Sequence, residues 1–123
     1  TSDDYLNGAP ELAIEIAASS ASYDLHTKRR VYARFGVREY LIIQVYEQHI
    51  DWLVLQADGN YTALEPDADG VLRSTIFPGL WLTPAAFWAE DLAQVIAVLQ
   101  RGIATPEHAA FVAQLAQTGA ATR

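Results

Sequence analysis

Hydrophobic and polar residues alternate over residues 11–17, which is the period of a half-exposed β-strand. One face carries Leu12, Ile14 and Ile16, and the other carries Glu11, Ala13, Glu15 and Ala17. Small polar residues at Ser19, Ser20 and Ser22 end this strand. A helix is predicted to follow, capped by Asp24 or a preceding serine and running to about Phe35, because Gly36 is a typical C-terminal stop.

A second strand is predicted over residues 38–46, which are apolar on both faces and rich in β-branched and aromatic side chains. That composition is typical of a central strand covered on both sides. Strands at 50–56 and 61–64 flank Asp58-Gly59-Asn60, a strong hairpin sequence. Asp69-Gly70 indicates a second such turn before a strand at 71–77, and Pro78-Gly79 leads into a short strand at 80–82.

Two helices are predicted at the end of the chain, because Thr83-Pro84 and Thr105-Pro106 each place a capping hydroxyl before a first-turn proline. The first helix carries Trp88, Leu92, Val95, Ile96 and Leu99 on one stripe, and the second carries His108, Phe111, Val112 and Leu115. This order of elements is typical of an α/β or α+β protein with a mixed sheet flanked by helices.

The composition indicates one globular domain, since the chain has 123 residues, 51% of them hydrophobic, and a formal charge of −7. The lack of cysteine excludes disulfides, thiolate metal sites and a cysteine nucleophile. No apolar run approaches the roughly 18 residues that a membrane-spanning helix needs. The acidic balance argues against a broadly basic surface for nucleic acid but leaves room for a local basic patch. Because the chain begins at Thr1 and has no methionine, we expect a segment to precede it.

Lys28 is the most informative residue of the first predicted helix. It falls in the middle of an apolar stripe formed by Leu25, Val31, Tyr32 and Phe35. A lysine on a core-facing stripe is costly unless it meets a carboxylate, and Glu15, with only alanines beside it on its strand face, is the nearest upstream candidate. Two alternatives stay open: Lys28 extends past the core edge to solvent, or it pairs with Asp24 one turn earlier.

Acidic and basic side chains cluster around this helix. Glu11 and Glu15 share a strand face, but their Cα atoms are about 13 Å apart, too far to hold one metal ion unaided. Glu15 is therefore the better metal ligand, and Glu11 lies at the strand mouth. Five of the eight basic residues fall between positions 28 and 38, where they could receive phosphates or simply form a solvated helix face. We place Arg29, Arg30 and Arg34 mostly on the side away from the apolar stripe, and the three histidines show no metal-ligand spacing.

The run from Gly8 to Ile43, GAPELAIEIAASSASYDLHTKRRVYARFGVREYLII, resembles the Uma-type restriction endonucleases. These are proteins of the PD-(D/E)XK nuclease superfamily that are common in cyanobacteria. The family pattern is roughly PDLVVEVLSPS, an Asp, a Lys four positions later, a Tyr, and GVxEYW. The matching residues are Pro10, Glu15, Ser20, Asp24, Lys28, Tyr32, Gly36, Val37, Glu39 and Tyr40. The hairpins and the FPGLWL stretch also fit, so the resemblance covers about positions 8–83.

The resemblance implies a restriction-endonuclease-like fold, with a nuclease-like core at 1–83 that lacks its N-terminal part and a helical extension at 84–123 within the same domain. It implies Glu15, Lys28 and Glu11 as catalytic residues, with Glu15 as the metal ligand. Ala17 stands where the superfamily lysine usually lies, and Lys28 would replace that lysine from the helix. The first acid of the family pattern would precede Thr1. Residues that depart from the pattern are Glu11 for Asp, Ala18 for Ser, Leu41 for Trp and Gln44 for Asp.

The function that we expect is hydrolysis of nucleic-acid phosphodiester bonds by a Mg²⁺- or Mn²⁺-dependent endonuclease, with DNA as the substrate. Arg29, Arg30 and Arg34 would position the nucleic-acid backbone. The metal is expected in the full-length protein, and none in this chain without the first acid. The competing hypothesis is a catalytically degenerate nuclease-fold module that binds nucleic acid or protein. We expect a cytoplasmic protein without a membrane partner, and a homodimer stays open.

Overall fold

The computed structural model describes residues 11–18 and 22–121, and the chain divides into two compact units, Thr1–Leu64 and Glu65–Arg123. The fold is mixed α+β, as the order of elements predicts, with a four-stranded sheet and helices that include a C-terminal pair. None of the helices in the described ranges is long and apolar enough to cross a membrane. The grouping of residues 1–83 and 84–123 into one domain stays a prediction.

The first unit is a strand-helix-strand crossover followed by a meander. Its elements are β1 (Leu12–Ala17), α1 (Ser22–Arg34), β2 (Glu39–Gln44), β3 (His49–Leu55) and β4 (Tyr61–Ala63). The strands lie in the order β1-β2-β3-β4, with β1 parallel to β2 and the other pairs antiparallel. A parallel pair needs a crossover connection, and α1 supplies it. The β3–β4 hairpin closes at the predicted turn, where Asn60 N–H donates to the Asp58 carboxylate at 2.9 Å.

The core of this unit lies between α1 and the sheet. Four buried residues form it, and five half-buried ones from both layers pack against them: Tyr40, Ile42, Leu53 and Tyr61, with Ala13, Leu25, Tyr32, Ala33 and Leu55. The Tyr61 hydroxyl donates to the Val37 carbonyl at 2.7 Å, and burial raises the pKa of this phenol. The expectation that Val31 and Phe35 belong to the apolar stripe is wrong, because both are exposed while Leu25, Tyr32 and Ala33 face the sheet.

The opposite face of the sheet has its own buried groups. Trp52 and Leu41 are buried there, and the Trp52 indole N–H donates to the fully buried Glu39 carboxylate at 2.9 Å. Ile14 and Ile16 of β1 lie on this same face but are 58% and 66% exposed. The alternation in β1 is as predicted, and its small-residue face, not its isoleucine face, is the one that packs against α1.

The second unit contains a small two-stranded sheet and three helices. These are β5 (Leu72–Arg73), β6 (Trp81–Leu82), α2 (Pro84–Trp88), α3 (Leu92–Ile103) and α4 (Pro106–Ala121). The predicted strand at 71–77 shrinks to β5, which pairs with β6. The single helix predicted after Pro84 is two helices, because Glu90 adopts a left-handed φ of 58° and the Asp91 side chain caps α3 at Gln94 N–H.

Two contacts organise this second unit. Gly79, with a φ of +97°, approaches Gly102 of α3 so closely that a Cβ at Gly102 would overlap the Gly79 carbonyl and the Trp81 ring. The Asp67 carboxylate accepts the Val71 and Asp69 N–H groups and pairs with Arg73 at 2.8 Å. The backbone hydrogen bond from Val71 is the main cause that lowers the pKa of the Asp67 carboxyl below its ordinary value.

Candidate active site

Glu15 and Lys28 meet between β1 and α1. The Lys28 Nζ donates to Glu15 Oε1 at 2.8 Å, and the two side chains remain 37% and 25% exposed. Glu15 lies mid-strand, with its Cα opposite Ile42 of β2. The pair is thus partly desolvated but open to solvent, so water and a substrate phosphate can reach it.

The local sequence explains this contact. Ala13 and Ala17 flank Glu15 on the face that looks toward α1, and their small side chains leave room for a long one from the helix. Lys28 lies one turn after Leu25 and one turn before Tyr32, the two helix residues that pack on the core. It therefore extends over the sheet and contacts Glu15. The alternative pairing with Asp24 falls on a side chain outside the described residues and stays open. Lys28 is also the only lysine in the chain.

Glu11 lies apart from this pair. Its carboxylate faces Arg38 Nη1 at 3.5 Å, and both side chains are more than half exposed. Its carbonyl accepts the Glu39 N–H at 3.0 Å, which continues the β1–β2 ladder at the strand mouth. Four strand residues separate Glu11 from Glu15, about 13 Å between Cα atoms, so the two carboxylates do not share one ion.

The arginines of α1 divide into two groups. Arg30 and Arg34 are exposed, as a solvated helix face predicts. Arg29 is half-buried and lines a pocket over β2 and β3, so its expected place on the side away from the sheet is wrong. The Arg29 charge also acts on Tyr61, although burial, which raises the pKa of that phenol, outweighs it.

The strand register brings two further polar residues to the same face of the sheet. Glu15, Ile42 and Asp51 form one row across β1, β2 and β3, and Ala17, Gln44 and His49 form the next. His49 Nε2 hydrogen-bonds Asp51 Oδ1 at 2.9 Å. Sequence reasoning missed Asp51, because the only signal for its position is the pairing of β2 with β3. His108 belongs to the second unit, where its Nδ1 hydrogen-bonds the Pro78 carbonyl at 2.9 Å.

The carboxylate of Glu15 is the group of this site that could hold the divalent ion that the sequence leads us to expect. The described residues contain no group of three or more His, Asp or Glu side chains that could hold a metal ion by themselves. Mg²⁺ usually takes one or two carboxylates and completes its shell with water and substrate phosphate. The partly exposed Glu15 carboxylate fits the place of one such ligand, and Asp24, the acid that the family pattern pairs with Lys28, has its side chain outside the described residues.

Comparison with known proteins supports the resemblance. The model of the Uma2 family, described as "Putative restriction endonuclease", matches residues 1–85, which is more than half of the chain. No curated protein sequence matches the chain. The matched region contains the whole of β1, α1 and β2, and so both members of the Glu15–Lys28 pair.

Proposed function

Because this chain belongs to the Uma2 family, whose description is "Putative restriction endonuclease", we propose that it hydrolyses phosphodiester bonds in DNA with Mg²⁺ or Mn²⁺ held in part by Glu15. The observation that carries the proposal is the contact between Lys28 and Glu15 at 2.8 Å. A nuclease of this type needs a carboxylate for the ion and a cation beside the phosphate, and β1 and α1 bring one of each together.

Each residue has a defined task in this mechanism. When bound, the divalent ion supplies Lewis-acid polarisation of the phosphate and a more acidic water. Glu15 holds its carboxylate at mid-strand, fixed by the hydrogen bond from Lys28. The Lys28 ammonium also offsets the negative charge that grows on the phosphate oxygens as the water oxygen bonds to phosphorus. The attacking water gives up a proton to solvent, the bond from phosphorus to one ester oxygen breaks, and that ester oxygen takes up a proton from solvent.

The charge distribution suits a polyanionic substrate despite the formal charge of −7. Five of the eight basic residues belong to α1 or to the segment that follows it: Lys28, Arg29, Arg30, Arg34 and Arg38. A local cluster of this kind attracts phosphates within about one Debye length, ~8 Å at physiological salt. We propose that the α1 arginines hold the nucleic-acid backbone while Glu15 and Lys28 act on one phosphodiester.

The experiment is a cleavage assay on supercoiled plasmid with Mg²⁺ or Mn²⁺, run beside calorimetric titration with Mn²⁺. The full-length protein should nick the plasmid and bind Mn²⁺, and Glu15→Gln in the same full-length protein should abolish both, because the amide keeps the volume but removes the anionic ligand. Glu47→Gln, in the exposed β2–β3 turn, is the matched control and should behave as wild type. Equal Mn²⁺ affinity and equal cleavage in wild type and Glu15→Gln would refute the assignment.

A catalytically degenerate module is the second candidate, and Gln44 favours it. Gln44 lies at the end of β2, one row from Glu15, at a position where the family pattern has an acid. An amide in that place is a poorer ligand for a hard cation than a carboxylate. Nucleic-acid binding with no cleavage of DNA or RNA under any divalent ion would decide for this second function.

A further inference from the structure

A pocket separate from the Glu15–Lys28 contact lies between α1 and the strands β2 and β3. Its volume is about 120 Å³, and its lining is Leu25, His26, Arg29, Ile42, Gln44 and Asp51. Leu25 and Ile42 form an apolar floor that belongs to the core. Arg29, His26, Gln44 and Asp51 surround the opening with hydrogen-bonding groups, so the pocket suits a small polar ligand.

The pocket lies on the same face of the sheet as the candidate active site. Asp51 occupies the row of Glu15, two strands away, which places their Cα atoms about 10 Å apart at the usual ~4.8 Å strand spacing. Along the helix axis of B-form nucleic acid, each strand advances ~3.4 Å per nucleotide. A strand that is cut at Glu15 and runs across the sheet would therefore reach the pocket within at most about three nucleotides.

We propose that this pocket binds a phosphodiester of the same strand, near the one that is cut, with Arg29 as its principal donor. The proposal rests on the proposed function and adds a second phosphate subsite to it. It also distinguishes Arg29 from Arg30 and Arg34, which lie exposed on α1 and do not line the pocket.

The charges around the pocket support an anion as its ligand. Among the described residues, Arg29 has no carboxylate within 4 Å, so its guanidinium can donate two hydrogen bonds to phosphate oxygens. The Asp51 carboxylate already accepts a hydrogen bond from His49, which limits its repulsion of an anion. The volume of about 120 Å³ is several times the roughly 10–15 Å³ of such space that one water molecule needs, which leaves room for the oxygens of one phosphate group.

The test measures binding of a fluorescein-labelled 20-base-pair DNA duplex by anisotropy in EDTA, across a range of KCl concentrations. Arg29→Gln should weaken binding about tenfold and reduce the slope of log K against log salt by about one, because one phosphate contact is lost. Arg101→Gln, the control, removes an exposed arginine of α3 that has no part in the proposed site, and it should weaken binding less than about threefold and leave the slope unchanged. Asp51→Asn should tighten binding, since it removes a negative charge beside the phosphate.

Circular dichroism establishes that each variant is folded, and Asp51→Asn tests the proposal even if Arg29→Gln does not fold. Equal affinities and slopes for Arg29→Gln and Arg101→Gln would overturn the proposal, as would weaker binding by Asp51→Asn. The results also distinguish a failure of the pocket assignment from a failure of the proposed function. If the wild type cleaves DNA but Arg29→Gln binds like Arg101→Gln, only the pocket assignment fails. If the wild type neither binds nor cleaves nucleic acid, the proposed function fails with it.

Discussion

Replacing Lys28 by methionine should abolish cleavage and leave the fold intact. Methionine is unbranched and of similar length, so it can follow the same path over Ala13 and Ala17 without the ammonium group. We expect the cleavage rate to fall at least about 100-fold, the usual effect of removing one group that stabilises transition-state charge.

The expected change in stability is small because the ion pair is only partly buried. Two unit charges 4 Å apart attract by about 4 kcal/mol at an effective dielectric constant of 20, and less where water reaches them, as it does at 37% and 25% exposure. Fixing the lysine side chain costs up to about 2 kcal/mol of entropy, and measured net values for exposed pairs are about 0–1 kcal/mol. Lys28→Met should therefore change the free energy of unfolding by no more than about 1 kcal/mol in either direction.

Urea unfolding followed by circular dichroism and plasmid nicking on the same preparation measure both quantities. Because Lys28 is the only lysine, selective ¹³C-lysine labelling gives one side-chain NMR signal that reports on the pair directly. Arg101→Met, which removes an exposed cation from α3, outside the α1 cluster, is the control and should keep its activity. A loss of about 3 kcal/mol or more would show that Lys28 serves the fold, and wild-type cleavage by Lys28→Met would refute its catalytic role.

Three further predictions concern stability. Trp52→Phe should cost about 2–4 kcal/mol in urea unfolding, since it removes the indole donor from the fully buried Glu39 carboxylate; a loss below 1 kcal/mol would contradict this. Gly102→Ala should cost about 1–3 kcal/mol in the same assay because its Cβ would overlap the Gly79 carbonyl, and unchanged stability would show that the backbones can separate. Because the pKa of Asp67 is lowered in the folded protein, the Asp67 carboxylate stabilises the fold above pH 3.8, and this stabilisation is lost as the pH falls further. The difference in melting temperature between wild type and Asp67→Asn should therefore shrink below pH 3.8. A difference that is independent of pH would contradict this prediction.

The elements with strong local patterns could be predicted from the sequence. The alternation over 11–17, the helix ending near Gly36 and the Asp58-Gly59 turn each depend on neighbouring residues, and the structure has all three. The contact of Lys28 with Glu15 could also be predicted, because a lysine on a core-facing stripe needs a carboxylate as its partner.

Features set by tertiary pairing could not be predicted in the same way. The position of Asp51 beside Arg29 depends on the β2–β3 register, which no local pattern encodes. The break between α2 and α3 was not predicted because the apolar stripe continues from one helix into the next. Asp91, just before Leu92, is the capping residue that marks the start of α3. The exposure of Ile14 follows from which face of β1 receives α1, a choice that alternation alone leaves open.

The β1–α1–β2 crossover also determines how early in folding the Glu15–Lys28 contact can form. The two residues are 13 positions apart, and the β1–β2 ladder that fixes them joins residues 27 positions apart, such as Leu12 and Glu39. Loop-closure entropy grows by only about 0.6 kcal/mol for each doubling of loop length, so the ladder costs little more to close than the Glu15–Lys28 contact itself. Both contacts lie within residues 12–44, so the pair can form once this single stretch of the chain folds. Parallel pairing between residues 27 positions apart makes that step slower than formation of α1 alone.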